Sequence, residues 1–444
     1  MSVLGFRPAL ALGTTVAMAL AALAGGCGRP APVSPQSRAQ RAGEHAERAA
    51  AGVTAAADPQ RASATAPPPV WSEDLAAVAA GSDRFALALH RELAGEKGNL
   101  FFSPFSIHAA LAMTAVGARG DSLGQLRATL HLPAGDRLAA AGDLARFYGA
   151  ADRPHELAVA AALWGQKGVA WDPTFVSTLD DRFAAGFREA DFAADAEGER
   201  ATINAWVASQ TRGRIGTLLP PGAVNDLTRL VVASAIAFKG NWATQFSPAA
   251  TADEPFHRAD GTDSPVPLMR RKGRERHFQG DGFQVLTLPY VGDDLEMVVV
   301  LPRERDGLAA LEAVLDTDTL AAWLGDAEPV EVEIRLPRFR LDHGFDAVAA
   351  LERLGVVDLF LPGRADLSGM TEAEPLSVAK VLHKAFVEVN EEGTEAAAAT
   401  AVISNAPGPP PPKPVDFRAN RPFLFLIRDA AHGTILFVGR YAGP

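Results

Sequence analysis

One short block of the chain contains residue types that could carry out nucleophilic catalysis. Gly120-Asp121-Ser122-Leu123-Gly124 satisfies the G-x-S-x-G pattern, in which a sharp turn between a strand and a helix exposes a serine hydroxyl. Asp429 and His432, near the C-terminus, could supply an acid and a base for that serine. The chemistry of such a site would be acyl transfer by a serine hydrolase.

The segments around these residues predict a different structure. Ser122 follows ALAMTAVGA at 110–118, which is helical in character, whereas a nucleophile elbow requires a strand there. Asp429 and His432 fall between two strand-like runs, so they are expected at the polar tip of a hairpin. Gly-Asp-Ser-Leu is also a block of one esterase family. A hydrolase therefore stays an alternative, which loss of ester hydrolysis in Ser122→Ala would support.

The other chemistry-bearing residues do not form a metal or cofactor site. The ten histidines are dispersed, Cys27 is the only cysteine, and His155-Glu156 lacks the second histidine of a zinc-protease helix. Glycine loops with phosphate-binding spacing are missing. The net charge is −11, and no stretch is typical of nucleic-acid binding. The sequence thus predicts no metal, no cofactor and no nucleic-acid partner.

The most informative segment is FVEVNEEGTEAAAATA at 386–401. Its first residues favour a strand, and acidic, glycine and small residues follow. Beyond Gly393, one alternating face consists only of small side chains, namely Thr394, Ala396, Ala398 and Thr400. This composition suits a segment that is exposed in one state and a buried strand in another. The alternative is an Ala-rich linker or a short helix.

The acidic and small residues of this segment resemble the proximal hinge of the reactive-centre loop of inhibitory serpins. The matching residues are Glu391, Glu392, Gly393, Thr394, Glu395, Ala396, Ala397, Ala398, Ala399 and Thr400. Other segments resemble the same family in the same order across residues 72–444. They include NLFFSPFSI at 99–107, INAWV at 203–207, FKGNW at 238–242, LPRFRLD at 336–342 and RPFLFLIRD at 421–429.

The resemblance implies an α+β serpin fold, in which several helices surround three mostly antiparallel β-sheets and a reactive-centre loop at about 391–416 is exposed. Residue periodicity is compatible with it. Apolar spacings of three and four predict helices at 74–95, 104–118, 122–130, 136–150, 173–185 and 200–211. β-forming runs predict strands at 230–238, 283–290, 295–302, 330–337, 386–390 and 423–427. Helices first and strands later, without regular alternation, are typical of α+β proteins.

The resemblance also implies a function. The chain would be an irreversible suicide-substrate inhibitor of serine or cysteine endopeptidases, and not an enzyme. A protease would form an acyl-enzyme with a loop carbonyl, and the cleaved hinge would insert as a strand into the central sheet before deacylation. The alternative is a non-inhibitory binding lipoprotein of the same fold. Bulky or charged hinge residues are typical of non-inhibitory members, whereas the hinge here is small.

The resemblance also gives expectations for the scissile bond of the loop and for the target protease. Family spacing places the bond near Pro407, but a proline is poorly accepted beside a scissile bond. The favoured scissile region is therefore Ile403, Ser404, Asn405 and Ala406. Lys413 is followed by Pro414, which disfavours trypsin-like targets. We expect a monomer whose partner is an elastase-, chymotrypsin- or subtilisin-like protease, or a papain-like one.

Several residues resemble the regions where the serpin sheet opens. Ser103, Ser106 and His383 match the polar shutter cluster, and Ser234 stands where the family usually has asparagine. Trp242, with Phe246, resembles the breach at the top of the sheet. Arg338 is expected to pair with Glu391 at the base of the hinge. The alternative for each residue is ordinary core packing and capping.

The N-terminus predicts export. Residues 1–26 have an early arginine, an apolar stretch and a small-residue end, which is the form of a secretory signal peptide. Cys27 resembles a bacterial lipoprotein processing site, and an ordinary signal with an incidental cysteine is the alternative. Residues 27–70 are Ala- and Pro-rich and predict a disordered tether before the domain at 71–444. The chain would be lipid-anchored to the bacterial cell envelope (outer membrane) or extracellular, with no other membrane contact.

Overall fold

The computed structural model describes residues 69–133, 138–150, 153, 155–183, 186–392 and 413–444. Within these ranges the α-helices are α1 (Glu73–Leu93), α2 (Pro104–Gly117), α3 (Gly120–Thr129), α4 (Leu138–Tyr148), α5 (Pro173–Phe183), α6 (Phe192–Gln210), α7 (Leu308–Val314), α8 (Thr317–Gly325) and α9 (Val348–Arg353). Short 3-10 turns occur at Pro248–Ala250 and Asp358–Phe360. The predicted signal segment, Cys27 and nearly all of the tether lie outside the described residues.

The strands form two hydrogen-bonded sheets in the described part of the chain. They are β1 (Leu100–Phe102), β2 (Glu156–Gln166), β3 (Phe187–Ala190), β4 (Leu230–Lys239), β5 (Ala252–His257), β6 (Asp263–Gly280), β7 (Phe283–Pro289), β8 (Leu295–Pro302), β9 (Glu328–Pro337), β10 (Phe339–Asp346), β11 (Lys380–Val389), β12 (Val415–Arg418), β13 (Phe423–Asp429) and β14 (Ile435–Tyr441). The central sheet has five strands in the order β10-β11-β4-β2-β3.

The second sheet has nine strands because the 18-residue β6 belongs to two groups of strands at once. Its first part pairs with β5 and its middle with β9, which in turn pairs with β12. Its last residues pair with β7, and the order continues through β8, β13 and β14 to β1. The expected three sheets are therefore observed as two hydrogen-bonded sheets in the described residues, because the continuous backbone of β6 joins two of them.

Strand β4 lies at the centre of the five-stranded sheet and is buried on both faces. Val232, Ile236 and Phe238 face the main hydrophobic core, whereas the alternate side chains, among them Ala235 and Ala237, face a second cluster beneath α6. A strand covered on both sides reads as a continuous apolar run, which is why LVVASAIAF predicted it.

Helix α6 covers the outer face of this sheet. Ile203 and Val207 of α6 pack against the alanines of β2 and β4. The backbone of Asp195 departs from helical geometry, with φ −152° and ψ 72°, and its side chain accepts a hydrogen bond from the Gly198 amide. This is N-cap geometry, so the regular helix begins after Asp195.

The predicted α+β architecture is confirmed, and each predicted helix and strand overlaps an observed one. Nine of the strand pairs in the described ranges are antiparallel and three are parallel. The order of helices first and strands later is broken by β2 and β3, which precede α6. Strand β2 escaped prediction because its ELAVAAALWGQ sequence is rich in alanine, a helix former.

Candidate functional site

The central sheet contains two parallel pairs, β2–β3 at one edge and β4–β11 in the middle, and the middle pair is flanked by antiparallel pairs. Strand β11 runs parallel to β4, from Lys380 opposite Val231 to Val387 opposite Phe238. On either side, β10 pairs with β11 and β2 pairs with β4 in antiparallel register. We call the β4–β11 pairing the seam. Two adjacent parallel strands require a long connection, and here about 140 residues separate β4 from β11.

The segment that resembles the reactive-centre loop begins where the seam ends. Strand β11 stops at Val389 in the central sheet, and the next described strand, β12, starts at Val415 on the edge of the nine-stranded sheet. The hinge from Gly393 to Thr400 and the predicted scissile residues 403–406 lie outside the described residues. Glu391 and Glu392 are the hinge residues that the structure places.

The inner side of the seam carries a buried polar cluster. The Ser234 hydroxyl on β4 is 3.0 Å from Nδ1 of His383 on β11 and 2.7 Å from the Ser106 hydroxyl on α2. The Ser103 amide donates to Nε2 of His383 over 3.0 Å, and the Ser103 hydroxyl donates to the carbonyl of Leu436 over 2.7 Å. Ser103 also accepts from the Ser106 amide as the N-cap of α2. The structure thus brings together all four residues that sequence analysis assigned to the shutter.

The hydrogen bonds fix the protonation state of His383. Because the Ser103 amide donates to Nε2, that nitrogen is unprotonated, and the neutral ring carries its proton on Nδ1 and donates to Ser234. Burial, and to a lesser degree the neighbouring His343, lower the pKa of His383 to about 3. The ring is therefore neutral in the folded protein, and its single proton links the two strands of the seam.

An aromatic group holds the base of the loop. Nε1 of Trp242 donates to the carbonyl of Asn390 over 2.9 Å. The indole stacks on Tyr290 with ring centroids 4.7 Å apart and meets Phe246 edge-on at 6.1 Å. Asn390 in turn accepts from the Glu392 amide through its side chain. The chain is therefore held at the residue directly after β11.

Glu391 is buried and has two side-chain partners, although a charged residue next to an exposed loop is expected to be solvent-exposed. Its side chain is buried, accepts a 2.6 Å hydrogen bond from the Thr251 hydroxyl, and lies 3.6 Å from the Arg338 guanidinium. Arg338 is half-exposed, so its ion pair is screened by solvent. Sequence analysis named Arg338 but missed Thr251. A lone threonine 140 positions away carries no sequence signal for this contact.

The hydrolase alternative is not supported by the structure. Ser122 is fully buried inside α3, and its hydroxyl accepts a hydrogen bond from the Asp366 amide. Asp429 and His432 lie at the β13–β14 hairpin, where they bond to each other over 3.0 Å and Asp429 also accepts from Tyr148. A buried helical hydroxyl cannot attack a substrate, so Ser122 is a structural residue.

Sequence analysis overlooked one basic run, at 270–276. Strand alternation places Arg270, Lys272, Arg274 and Arg276 on the exposed face of β6. Arg270 and Lys272 lie 2.7 and 3.6 Å from Glu333, and Arg276 donates to two carbonyls at the end of α8. Two of these four cations therefore share the Glu333 carboxylate, and a third is bonded to backbone carbonyls.

Among the described residues, no group of three or more His, Cys, Asp or Glu side chains is arranged to hold a metal ion. In the same ranges, every helix is too short or too polar to span a bilayer.

The chain is similar to known proteins over most of its length. A family model described as serpin (serine protease inhibitor) matches residues 80–444. Antithrombin-III from Mus musculus and from Homo sapiens are each 39% identical over 376 residues, which are 82% of this chain and 81% of theirs. Leukocyte elastase inhibitor from Sus scrofa is 41% identical over 378 residues, which are 83% of this chain and 99% of that protein.

Solved structures are also similar to this chain over most of its length. Uncleaved ovalbumin superposes with a TM-score of 0.76 at 28% identity, covering 83% of this chain and 100% of that one. Arabidopsis AtSerpin1 in its native stressed conformation also has a TM-score of 0.76, at 30% identity, with 84% and 100% covered. With a family model matching most of the sequence and relatives at this identity, the chain belongs to the serpin family.

Proposed function

We propose that the protein is a suicide-substrate inhibitor of serine endopeptidases that acts by inserting its cleaved loop at the seam. The observation that carries this proposal is the parallel pairing of β11 with β4 directly before the loop. A strand that reverses direction after Val389 runs antiparallel to β11, and therefore antiparallel to β4 as well. Insertion would replace the parallel β4–β11 ladder by two antiparallel ladders, which are slightly more stable per residue.

The length and composition of the hinge fit this position. The run 393–401 spans roughly 30 Å when extended, at ~3.3 Å per residue, close to the length of the paired part of the seam. The inserted strand would be covered by the main core on one side and by the cluster beneath α6 on the other. Small side chains at Thr394, Ala396, Ala398 and Thr400 enter such a layer without displacing neighbours.

The chemistry requires only the protease's own nucleophile. The serine oxygen of the protease attacks a loop carbonyl, the peptide bond to the next residue breaks, and an acyl-enzyme forms. Cleavage frees the hinge from its C-terminal attachment at β12. Insertion then carries the acylated protease across the molecule before water can hydrolyse the ester. Loop insertion of this type is already known for serpins as a family.

The intact molecule must resist insertion until it is cleaved. Inserting a strand doubles the β4–β11 separation from ~4.8 to ~9.6 Å, so the 3.0 Å contact between Ser234 and His383 cannot persist. The Trp242 bond to Asn390 and the Glu391 contacts hold the start of the loop in place. These interactions contribute a kinetic barrier, which makes the native form a trapped state.

The target class is inferred from the bait. The scissile region Ile403, Ser404, Asn405 and Ala406 offers small or apolar residues, and a basic bait residue is lacking there. Elastase-, chymotrypsin- or subtilisin-like proteases accept such residues. Several relatives are named leukocyte elastase inhibitor, which supports the first of these. We include papain-like cysteine proteases, whose thiolate forms an equivalent acyl-enzyme.

The site of action is inferred from the N-terminus. A signal peptide at 1–26, acylation of Cys27 and a tether to residue 70 would hold a monomeric inhibitor domain away from a bacterial envelope membrane. Two or more acyl chains give stable anchoring, whereas one alone is readily reversible.

Two measurements test the proposed function. A panel of serine and cysteine proteases is incubated with the full chain and analysed on denaturing gels, where a covalent complex of the summed mass is expected with at least one protease. The chain is also nicked in its loop and heated, and a large rise in melting temperature is expected. Cleavage without a covalent complex and without a rise in melting temperature would favour the non-inhibitory binding protein instead.

A further inference from the structure

Arg214 makes two contacts that lie on opposite sides of the seam. Its Nη2 donates to Oε2 of Glu156 on β2 over 2.8 Å. Its guanidinium carbon lies 5.8 Å from the ring centroid of Phe386 on β11, within the range of a cation–π contact. Strand β4 lies between β2 and β11, so the two contacts of Arg214 together span β4, whose small Ala237 pairs with Phe386.

The base of Arg214 is fixed to the α6 side of the sheet. The residue follows the end of α6, where its amide donates to the Thr211 carbonyl over 3.0 Å. The Thr211 hydroxyl accepts from the Ile215 amide over 3.2 Å, and Ile215 is fully buried in the cluster beneath α6. The backbone on both sides of Arg214 is therefore anchored to the α6 side of the sheet, and the Glu156 contact holds the guanidinium on that same side.

We infer that Arg214 is a positioning residue that holds the seam closed from its outer face. This inference rests on the proposed function, in which β11 moves away from β4. A displacement of ~4.8 Å would carry Phe386 roughly 10 Å from the guanidinium, beyond the ~6 Å reach of a cation–π contact. Opening the seam therefore breaks the Arg214–Phe386 contact, as it breaks Ser234–His383 on the inner face.

The chain contains two matched controls. Arg212 pairs with the same carboxylate, Glu156, but makes no recorded contact with Phe386 within the described part of the chain. Arg340 on β10 lies 4.7 Å from the Phe386 ring centroid, but β10 and β11 are on the same side of the seam and move together. Arg212→Ala therefore removes one ion-pair partner of Glu156, and Arg340→Ala removes a ring contact with Phe386 that is closer than that of Arg214. Neither substitution removes the Arg214 side chain that links β2 to β11.

The test is amide hydrogen exchange of the uncleaved full chain, followed by mass spectrometry of peptides from β4 and β11. Arg214→Ala should accelerate exchange in these peptides about fivefold, which corresponds to about 1 kcal/mol. Arg214→Lys should act in the same direction, since an ammonium stacks on the ring less well than a planar guanidinium. Arg212→Ala and Arg340→Ala should leave exchange in β4 and β11 within a factor of two of the wild-type rate.

Unchanged exchange in Arg214→Ala would overturn the inference, and so would equal acceleration in Arg340→Ala. Peptides from β13 and β14 report global loosening, and a uniform acceleration there would also count against a local role. Because this measurement involves no protease, it is independent of inhibition. A wild-type chain that traps no protease would contradict the proposed function, while the exchange comparison would still decide the role of Arg214.

Discussion

Ser234 and His383 face each other across the parallel β4–β11 pair in the middle of the central sheet, with Oγ 3.0 Å from Nδ1. Neither residue belongs to the strand that the loop would add. Both would lose this contact on insertion. The Nδ1 proton of His383 therefore contributes to holding β4 and β11 together, and separation of these strands should depend on the protonation state of His383.

The first prediction concerns pH. The native pKa of His383 is about 3 and the unfolded value is 6.5, so the unfolded state binds the proton more readily. The stabilisation is complete above pH 6.5 and is lost as pH falls toward 3. Between pH 7 and pH 5 the contribution of His383 to the free energy of unfolding should decrease by about 2 kcal/mol, at ~1.36 kcal/mol per pH unit below 6.5. Urea titrations of the wild type and of His383→Gln at both pH values isolate this contribution.

His383→Gln should remove that part of the pH dependence, although it lowers stability at pH 7. The matched control is His257→Asn, because His257 is partly exposed and pairs with Asp263 at the sheet surface. If His383→Gln retained the full decrease between pH 7 and pH 5, the titration of another group would be responsible.

The second prediction concerns the hinge. Thr394→Arg or Ala396→Glu should convert the inhibitor into a substrate, because burying a charge in a close-packed layer slows insertion while deacylation proceeds. Denaturing gels should show cleaved chain in place of the covalent complex. Glu395→Gln, on the alternate face of the hinge, is the control and should retain complex formation. Full complex yield from both charged variants would refute insertion at these positions.

The third prediction compares two partners of Glu391. Thr251→Val should lower the free energy of unfolding by about 1–3 kcal/mol, because a buried carboxylate loses its 2.6 Å hydroxyl donor. Arg338→Gln should lower it by less than about 1 kcal/mol, because that pair is 3.6 Å apart and half-exposed. Urea unfolding at one fixed pH measures both. A larger loss for Arg338→Gln would reverse the ranking and indicate that charge, not the hydroxyl, holds Glu391.

The fourth prediction concerns Cys27. Mass spectrometry of the mature protein should find an acylated Cys27 as the first residue, and Cys27→Ser should release the chain from the membrane fraction. The released variant should inhibit the same protease at an unchanged rate, since the tether keeps the anchor apart from the loop. An unmodified mature end downstream of Cys27 would remove the anchor.

The sequence alone was sufficient to predict the family, the α+β class, and the helices and strands with strong periodicity. In a buried strand such as β4 and an amphipathic helix such as α1, the burial of each residue follows a regular pattern along the chain. The local sequence pattern is therefore sufficient to predict these elements. The composition of the hinge likewise predicts a segment that is suited to burial, because one of its alternating faces consists only of small side chains.

Only the tertiary structure determined the side-chain contacts at the seam and at the base of the loop. Thr251 meets Glu391, and Arg214 reaches Phe386, across 140 and 172 positions of sequence, where no local pattern exists. The tautomer of His383 depends on the amide of Ser103, the N-cap of α2, and the parallel direction of β11 beside β4 depends on the path of the intervening chain. Side-chain identity fixes what a residue can donate or accept, but only folding brings donor and acceptor within 3 Å of each other.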